Sequence, residues 1–288
     1  MNPLWLNTIE QSLGKVQRSR PLSGGDTSSI YQIELESTTV IAKTNSASGT
    51  PDLLKAEQLG LAALAQHGIV ATPKVQLYEQ HTSGELLIME YVPAGEKTTK
   101  ALRAFGQQMA RLHQISIPTF GWEHANYIGK LPQSNSAHPN WPQFYAHQRL
   151  QPQLRLAIDA GLLSVQDAPT AERTEEVCNN FLGLPRASPL HGDLWAGNYL
   201  IDQSGKAYII DPSFYYGHAE IDLAMSRLFG GFGPSFYEGY HEIIPLQAGA
   251  EDRRDIYQLY YLLVHLNMFG RSYLSSVQHI LNRYFFTS

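Results

Sequence analysis

The stretch from Tyr199 to Ile210 constrains the folding of this chain more than any other, because it can do little except double back on itself. Tyr199-Leu200-Ile201-Asp202 and Ala207-Tyr208-Ile209-Ile210 read as two apolar strands. The Gln203-Ser204-Gly205-Lys206 segment between them has a Ser-Gly centre that favours a tight turn. Folding about Ser204-Gly205 predicts that Asn198 lies opposite Asp211, so that two oxygen-bearing side chains emerge at one end of a two-stranded ribbon. His191-Gly192-Asp193-Leu194-Trp195-Ala196-Gly197-Asn198 enters this ribbon and Asp211-Pro212-Ser213 leaves it.

The chemistry that fits this spacing is phosphoryl transfer, which needs a carboxylate to orient and deprotonate a hydroxyl and oxygen ligands for the metal on the nucleotide phosphates. Asp193 suits the first task, and Asn198 with Asp211 the second. Seen alone, Gly-Asp and Asp-Pro pairs mostly satisfy turns; it is their joint position around one hairpin that favours catalysis. His191 is expected to hold the loop by hydrogen bonding and to take no part in acid-base chemistry.

With 288 residues and 43% hydrophobic content the chain can bury a large core, and it exceeds the usual length of one domain, so two lobes are expected. A net charge of -5 without basic clusters argues against a nucleic-acid partner. The lone Cys178 supplies neither a disulfide framework nor a zinc site. Met1 to Asn7 lacks the basic and apolar regions of a signal peptide, and no uncharged apolar run reaches bilayer length, so a cytoplasmic protein without a membrane partner is expected.

In the first lobe, Ser23-Gly24-Gly25-Asp26-Thr27-Ser28-Ser29 is a small-residue bend whose backbone N–H groups could approach phosphate oxygens closely. It leads into strands Ile30 to Leu35 and Thr38 to Lys43, so Lys43 ends the second strand. The next helix is expected to use Thr50 as N-cap and Pro51 as first residue, with an apolar stripe through Leu53, Leu54, Leu61 and Leu64. Glu57 lies on that stripe, and an inward carboxylate is costly unless paired; Lys43 is the expected partner. Glu85 to Val92 reads as an apolar strand ended by Pro93-Ala94-Gly95, where Glu90, Tyr91 and Val92 could offer backbone groups to an adenine edge.

Helical spacing begins near Thr99, with Leu102, Phe105, Met109 and Leu112 as core and His113 at the helix end. Residues 118–148 are irregular and rich in aromatics, which points to a site. After Asp211, glycines and aromatics through Phe229-Gly230-Gly231-Phe232 suit a pocket wall. Asp222 either braces the catalytic loop by accepting its backbone N–H groups or favours a helix N-terminus. Asp255 to Gly270 reads as a buried helix.

His-Gly-Asp-Leu-Trp-Ala-Gly-Asn at 191–198, Asn126-Tyr127-Ile128-Gly129, Trp141-Pro142, Tyr216-Gly217-His218 and Phe229-Gly230-Gly231-Phe232 resemble the fructosamine kinase (ketosamine 3-kinase) family, within the aminoglycoside-phosphotransferase-like kinases. The resemblance spans nearly the whole chain. It implies an α+β, bilobal protein-kinase-like fold: a small antiparallel-sheet lobe over residues 1–92, ending in the hinge, and a larger, mainly helical lobe over 93–288. It also implies ATP-dependent phosphorylation of the 3-hydroxyl of a ketosamine, free or on a protein, after which the unstable phosphate leaves and frees the amine. On that resemblance Asp193 takes the hydroxyl proton and Asn198 and Asp211 hold Mg2+. Lys43, aimed by Glu57, meets the ATP phosphates under Gly24 and Gly25, Glu90 to Val92 hold adenine, and Trp195 stacks on the sugar. The loop cysteine that permits redox-controlled dimerisation in some members is absent from Ser23 to Ser29.

Two other classes compete with this reading. One keeps the fold and changes the acceptor to an aminoglycoside, choline, homoserine or methylthioribose. The other is an inactive binding module, against which stands the presence of Lys43, Glu57, Asp193, Asn198 and Asp211 together.

Overall fold

The computed structural model describes residues 1–23 and 28–286, so Gly24 and Gly25 lie outside the described residues. Helix α1 (Pro3–Leu13) precedes strands β1 (Val16–Leu22), β2 (Ser29–Leu35) and β3 (Thr39–Ser46); helix α2 (Leu53–Gln66) then precedes β4 (Val75–His81) and β5 (Gly84–Glu90). The strands form one antiparallel sheet in the order β1-β2-β3-β5-β4. The unbroken apolar run of β5 follows from burial on both faces. Leu86 and Ile88 pack with Trp5 and Ile9 of α1, while Leu87 and Met89 pack with Leu54 and Leu61 of α2.

The rest is mainly helical: α3 (Thr99–Gln114), a hairpin of β6 (Asn126–Ile128) and β7 (Leu131–Gln133), α4 (Trp141–Tyr145), α5 (Gln151–Asp159) and α6 (Ala171–Leu182). Next come β8 (Ser188–Leu190), β9 (Tyr199–Ile201), β10 (Ala207–Ile209) and β11 (Tyr215–Gly217), then α7 (Glu220–Leu228), α8 (Pro234–His241), α9 (Ala250–Phe269) and α10 (Leu274–Tyr284). The axis of the larger core is α9, whose Ile256, Tyr257, Tyr260, Leu263 and Leu266 are fully or almost fully buried. No helix among the described residues is long and apolar enough to cross a membrane.

Two local expectations are corrected. In the β9-β10 hairpin Ala207 pairs with Ile201 and Ile209 with Tyr199, and the Ile210 N–H reaches the Asn198 carbonyl. Asn198 therefore faces Ile210, one residue short of Asp211. The cause is a three-residue turn: Asp202 and Lys206 pair across it, Gly205 takes φ +86, and the Asp202 carboxylate accepts from the Ser204 and Lys206 N–H groups. Helix α2 begins at Leu53 and not at Pro51, and Thr50 does not cap it. Asp52 occupies the cap position in the left-handed region without a side-chain bond, and Glu85 of β5 accepts from the Leu54 and Lys55 N–H groups instead.

The hairpin lies where sheet and helices meet. The Ile209 N–H bonds the Ala71 carbonyl, and the Gly95 N–H bonds the Ile201 carbonyl.

Candidate active site

Lys43 does not end its strand as expected: β3 runs on to Ser46 because Thr44, Asn45 and Ser46 also pair with β5, and Lys43 lies opposite Leu87 with its ammonium buried. It meets Glu57 of α2 at 2.7 Å and also pairs with Asp211, the second residue after β10. Close approach makes this convergence possible: a Cβ on Gly60, one turn after Glu57, would meet Pro212 at 3.0 Å. Asp211 adopts φ +55, a conformation rare for a residue with a side chain and one that recurs at functional sites.

The loop before the hairpin is held from several sides. Asp222, in the first turn of α7, accepts from the His191 N–H at 2.8 Å and the Gly192 N–H at 2.9 Å, so it both braces the loop and sits at a helix start. His113 Nε2 lies 3.2 Å from the same carboxylate, and Tyr261 of α9 donates to the Gly192 carbonyl. Both ring nitrogens of His191 are engaged. Nε2 donates to the Ile210 carbonyl at 2.7 Å, which leaves Nδ1 to accept from the Asp193 N–H. Burial lowers the His191 pKa, in keeping with a neutral structural ring.

The Asn198 amide donates to the Asp193 backbone carbonyl at 2.9 Å and to its carboxylate at 3.2 Å. Burial first, and the charge of Asp211 second, push the Asp193 carboxyl up to about 7. That value suits a group which must take a proton near neutrality. Burial, opposed by Lys43 and reinforced by Asp211, holds Glu57 above the usual carboxylate range. Burial acts in the same direction on Asp211, but Lys43 outweighs it and Asp211 lies below that range. Burial also pulls Lys43 down, yet its two carboxylates more than reverse this and keep the ammonium charged.

These groups open into a cleft of about 470 Å³, lined among others by Lys43, Glu57, Asn126, Asp193, Trp195, Asn198, Asp211 and Phe229. Lys43 pairs with Glu57 and Asp211, while the Asp193 carboxyl faces the same cleft, where a divalent cation would favour the charged form of each carboxyl. The donors that remain for one are hard oxygens, the Asp211 carboxylate and the Asn198 amide carbonyl. Magnesium binds through one or two such protein oxygens together with phosphate oxygens and water, so the residues fit it. Trp195 is 39% exposed, with its ring against Gly197. Glu90 ends β5, Tyr91 and Val92 follow it, and none of the three lines this cleft.

The residues expected from sequence converge accordingly, apart from the adenine candidates and the undescribed glycines. Sequence reasoning missed Tyr261, the direct Lys43-Asp211 contact and the part His113 plays beneath Asp222. It also missed the Glu85 cap. Each is a contact between distant segments that leaves no local pattern.

The model of the fructosamine kinase family matches residues 3–286. A probable ketoamine kinase of Enterococcus faecium is 38% identical over 92% of this chain and 94% of its own length. A chloroplastic protein-ribulosamine 3-kinase of Arabidopsis thaliana is 33% identical over 97% of this chain and 86% of its own. Among solved structures, a putative fructosamine-3-kinase of Thermobifida fusca matches with TM-score 0.85 and 32% identity over 98% of each chain. An aminoglycoside phosphotransferase crystallised with AMP-PNP and hygromycin B shares the fold alone, at TM-score 0.65 and 13% identity over 96% of this chain and 95% of its own.

Proposed function

Because the chain belongs to the fructosamine kinase family, we propose that it transfers the γ-phosphoryl group of ATP to the 3-hydroxyl of a ketosamine, the first step in releasing the sugar from a glycated amine. The observation that carries this reading is the meeting of Lys43, Glu57, Asp193, Asn198 and Asp211, drawn from separate stretches of the chain, in one cleft. Asp193 orients the 3-hydroxyl and takes its proton as the oxygen attacks the γ-phosphorus and the bond to ADP breaks. Lys43, aimed by Glu57, draws the phosphates to the cleft. Asp211 and Asn198 would hold magnesium, which when bound offsets the phosphate charge.

Glu90, Tyr91 and Val92 hold the adenine edge at the crossing between lobes, which sets the lobe boundary after Val92, and Gly24 and Gly25 cover the phosphates. Trp195 stacks on the sugar face and selects the acceptor. The same reading carries a cytoplasmic location.

The test is ATP turnover with fructose-lysine, ribulose-lysine, choline and kanamycin as acceptors. Turnover of the two ketosamines is expected; choline as the only acceptor would overturn the reading. Asp193→Ala is expected to abolish transfer while nucleotide still binds, and Asp211→Ala to weaken binding of magnesium-nucleotide in calorimetry. Turnover retained by Asp193→Ala counts against Asp193 as the base.

A further inference from the structure

The charged groups of the cleft sit on β3, on α2 and on the segments flanking the hairpin. The C-terminal helices contribute a different wall: Phe229 just after α7, His265, Met268 and Phe269 on α9, and Tyr273 beyond it. The rings form one cluster around His265, whose centroid lies 4.7 Å from Phe229, 5.1 Å from Tyr273 and 5.5 Å from Phe269. His265 Nδ1 donates to the Tyr261 carbonyl at 2.7 Å, and that fixes the ring at the centre.

This wall is continuous with the catalytic loop. A Cβ on Gly231 would meet Ala196 at 2.3 Å, so the segment after Phe229 leans on the residue next to Trp195. Phe229 is 43% exposed and Phe269 48%, beside Trp195 at 39%. Three large apolar rings left open to solvent around one cleft mark a surface that a ligand covers. Among the described residues, the carboxylates lining the cleft, Glu57, Asp193 and Asp211, all belong to its catalytic part, so none of them stands on this wall to meet an ammonium.

We infer that Phe229 and Phe269, set by His265 and Tyr273, form a platform for the hydrocarbon chain carried by the amine of the ketosamine, and so determine which amines the enzyme frees. The inference rests on the ketosamine reading. With the 3-hydroxyl at Asp193 and the sugar against Trp195, the amine lies only a few bonds further along the same molecule. Its substituent leaves the sugar beside Trp195, where the platform begins. An apolar surface favours acceptors in proportion to the hydrocarbon they lay on it, by about three- to fourfold for each methylene fully buried.

The experiment is a series of fructosamines made from methylamine, propylamine and pentylamine, with kcat/KM measured for each at saturating ATP and magnesium. A rise of about tenfold or more from methyl to pentyl, carried by KM, is expected. In Phe229→Ala/Phe269→Ala the pentyl-to-methyl ratio falls toward one. A flat or falling series in the unaltered protein overturns the platform and leaves the ketosamine reading standing, as does a slope that survives the double substitution. Failure to turn over any member of the series overturns both.

Discussion

At the scale of single residues, the site keeps Asp193 poised at a cost to stability. Its carboxyl titrates near 7 against an ordinary 3.8, so the folded protein holds the proton more tightly than the unfolded chain. The contribution is most favourable at low pH, declines as pH rises from about 4 to 7, and stands as a full penalty above 7. Asp193→Asn is therefore expected to stabilise the nucleotide-free protein by about 1–3 kcal/mol at pH 8 and by little at pH 4. Denaturant midpoints at the two pH values check this, and equal shifts at both would contradict it. Asp193 was legible in the sequence because its neighbours along the chain define it. Its raised pKa was not, because it comes from burial and from Asp211 across the hairpin.

At the scale of elements, α2 shows how a strand can do the work of a helix cap. Asp52 makes no capping bond, and the buried Glu85 takes the Leu54 and Lys55 N–H groups together with the Asn45 amide and the Tyr78 hydroxyl. Removing that carboxylate leaves buried donors unpaired, each costing about 1–3 kcal/mol. Glu85→Ala is expected to lose about 2–4 kcal/mol in urea unfolding and Glu85→Gln less; a loss under about 0.5 kcal/mol would show that the cap carries no weight. Since α2 also carries Glu57, both variants should raise KM for ATP. The apolar stripe fixed the face of α2 correctly. Thr50-Pro51 misled about its start, because local capping preference yielded to a carboxylate from a strand more than thirty residues on. The hairpin was likewise right in kind and one residue out in register, since its turn length depended on Lys206 leaving the turn to pair with Asp202.

At the scale of the whole molecule, the helical part is knitted by polar side chains inside an aromatic core. His218 Nδ1 meets the Tyr257 hydroxyl at 2.7 Å, and the same hydroxyl accepts from Trp141 Nε1 at 2.8 Å, joining the segment after β11 to α9 and α4. Burial lowers the His218 pKa from 6.5 to about 4, so the ring is held neutral. The folded state resists protonation that the unfolded chain accepts. This stability is present in full above 6.5 and is lost as pH falls toward about 4, amounting to about 2–3 kcal/mol. His218→Gln is expected to flatten the decline in thermal midpoint between pH 6.5 and 4, and an unchanged slope would exclude His218 as the acid-sensitive joint.

The sequence by itself determined what is written in neighbouring residues: the 191–198 loop running into a hairpin, a Lys on the second strand of the first hairpin, a Glu on an apolar helical stripe, and the motifs that identify the family. These survive because spacing along the backbone fixes them before the chain folds. Tertiary structure decided the rest. It brought Lys43 between Glu57 and Asp211, fastened the 191–198 loop to Tyr261 and to Asp222 with His113 behind it, capped α2 from β5, and gathered Phe229, His265, Phe269 and Tyr273 beside the cleft. Burial of charge and pairing across long separations set these arrangements, and neither is a property of any local stretch of sequence.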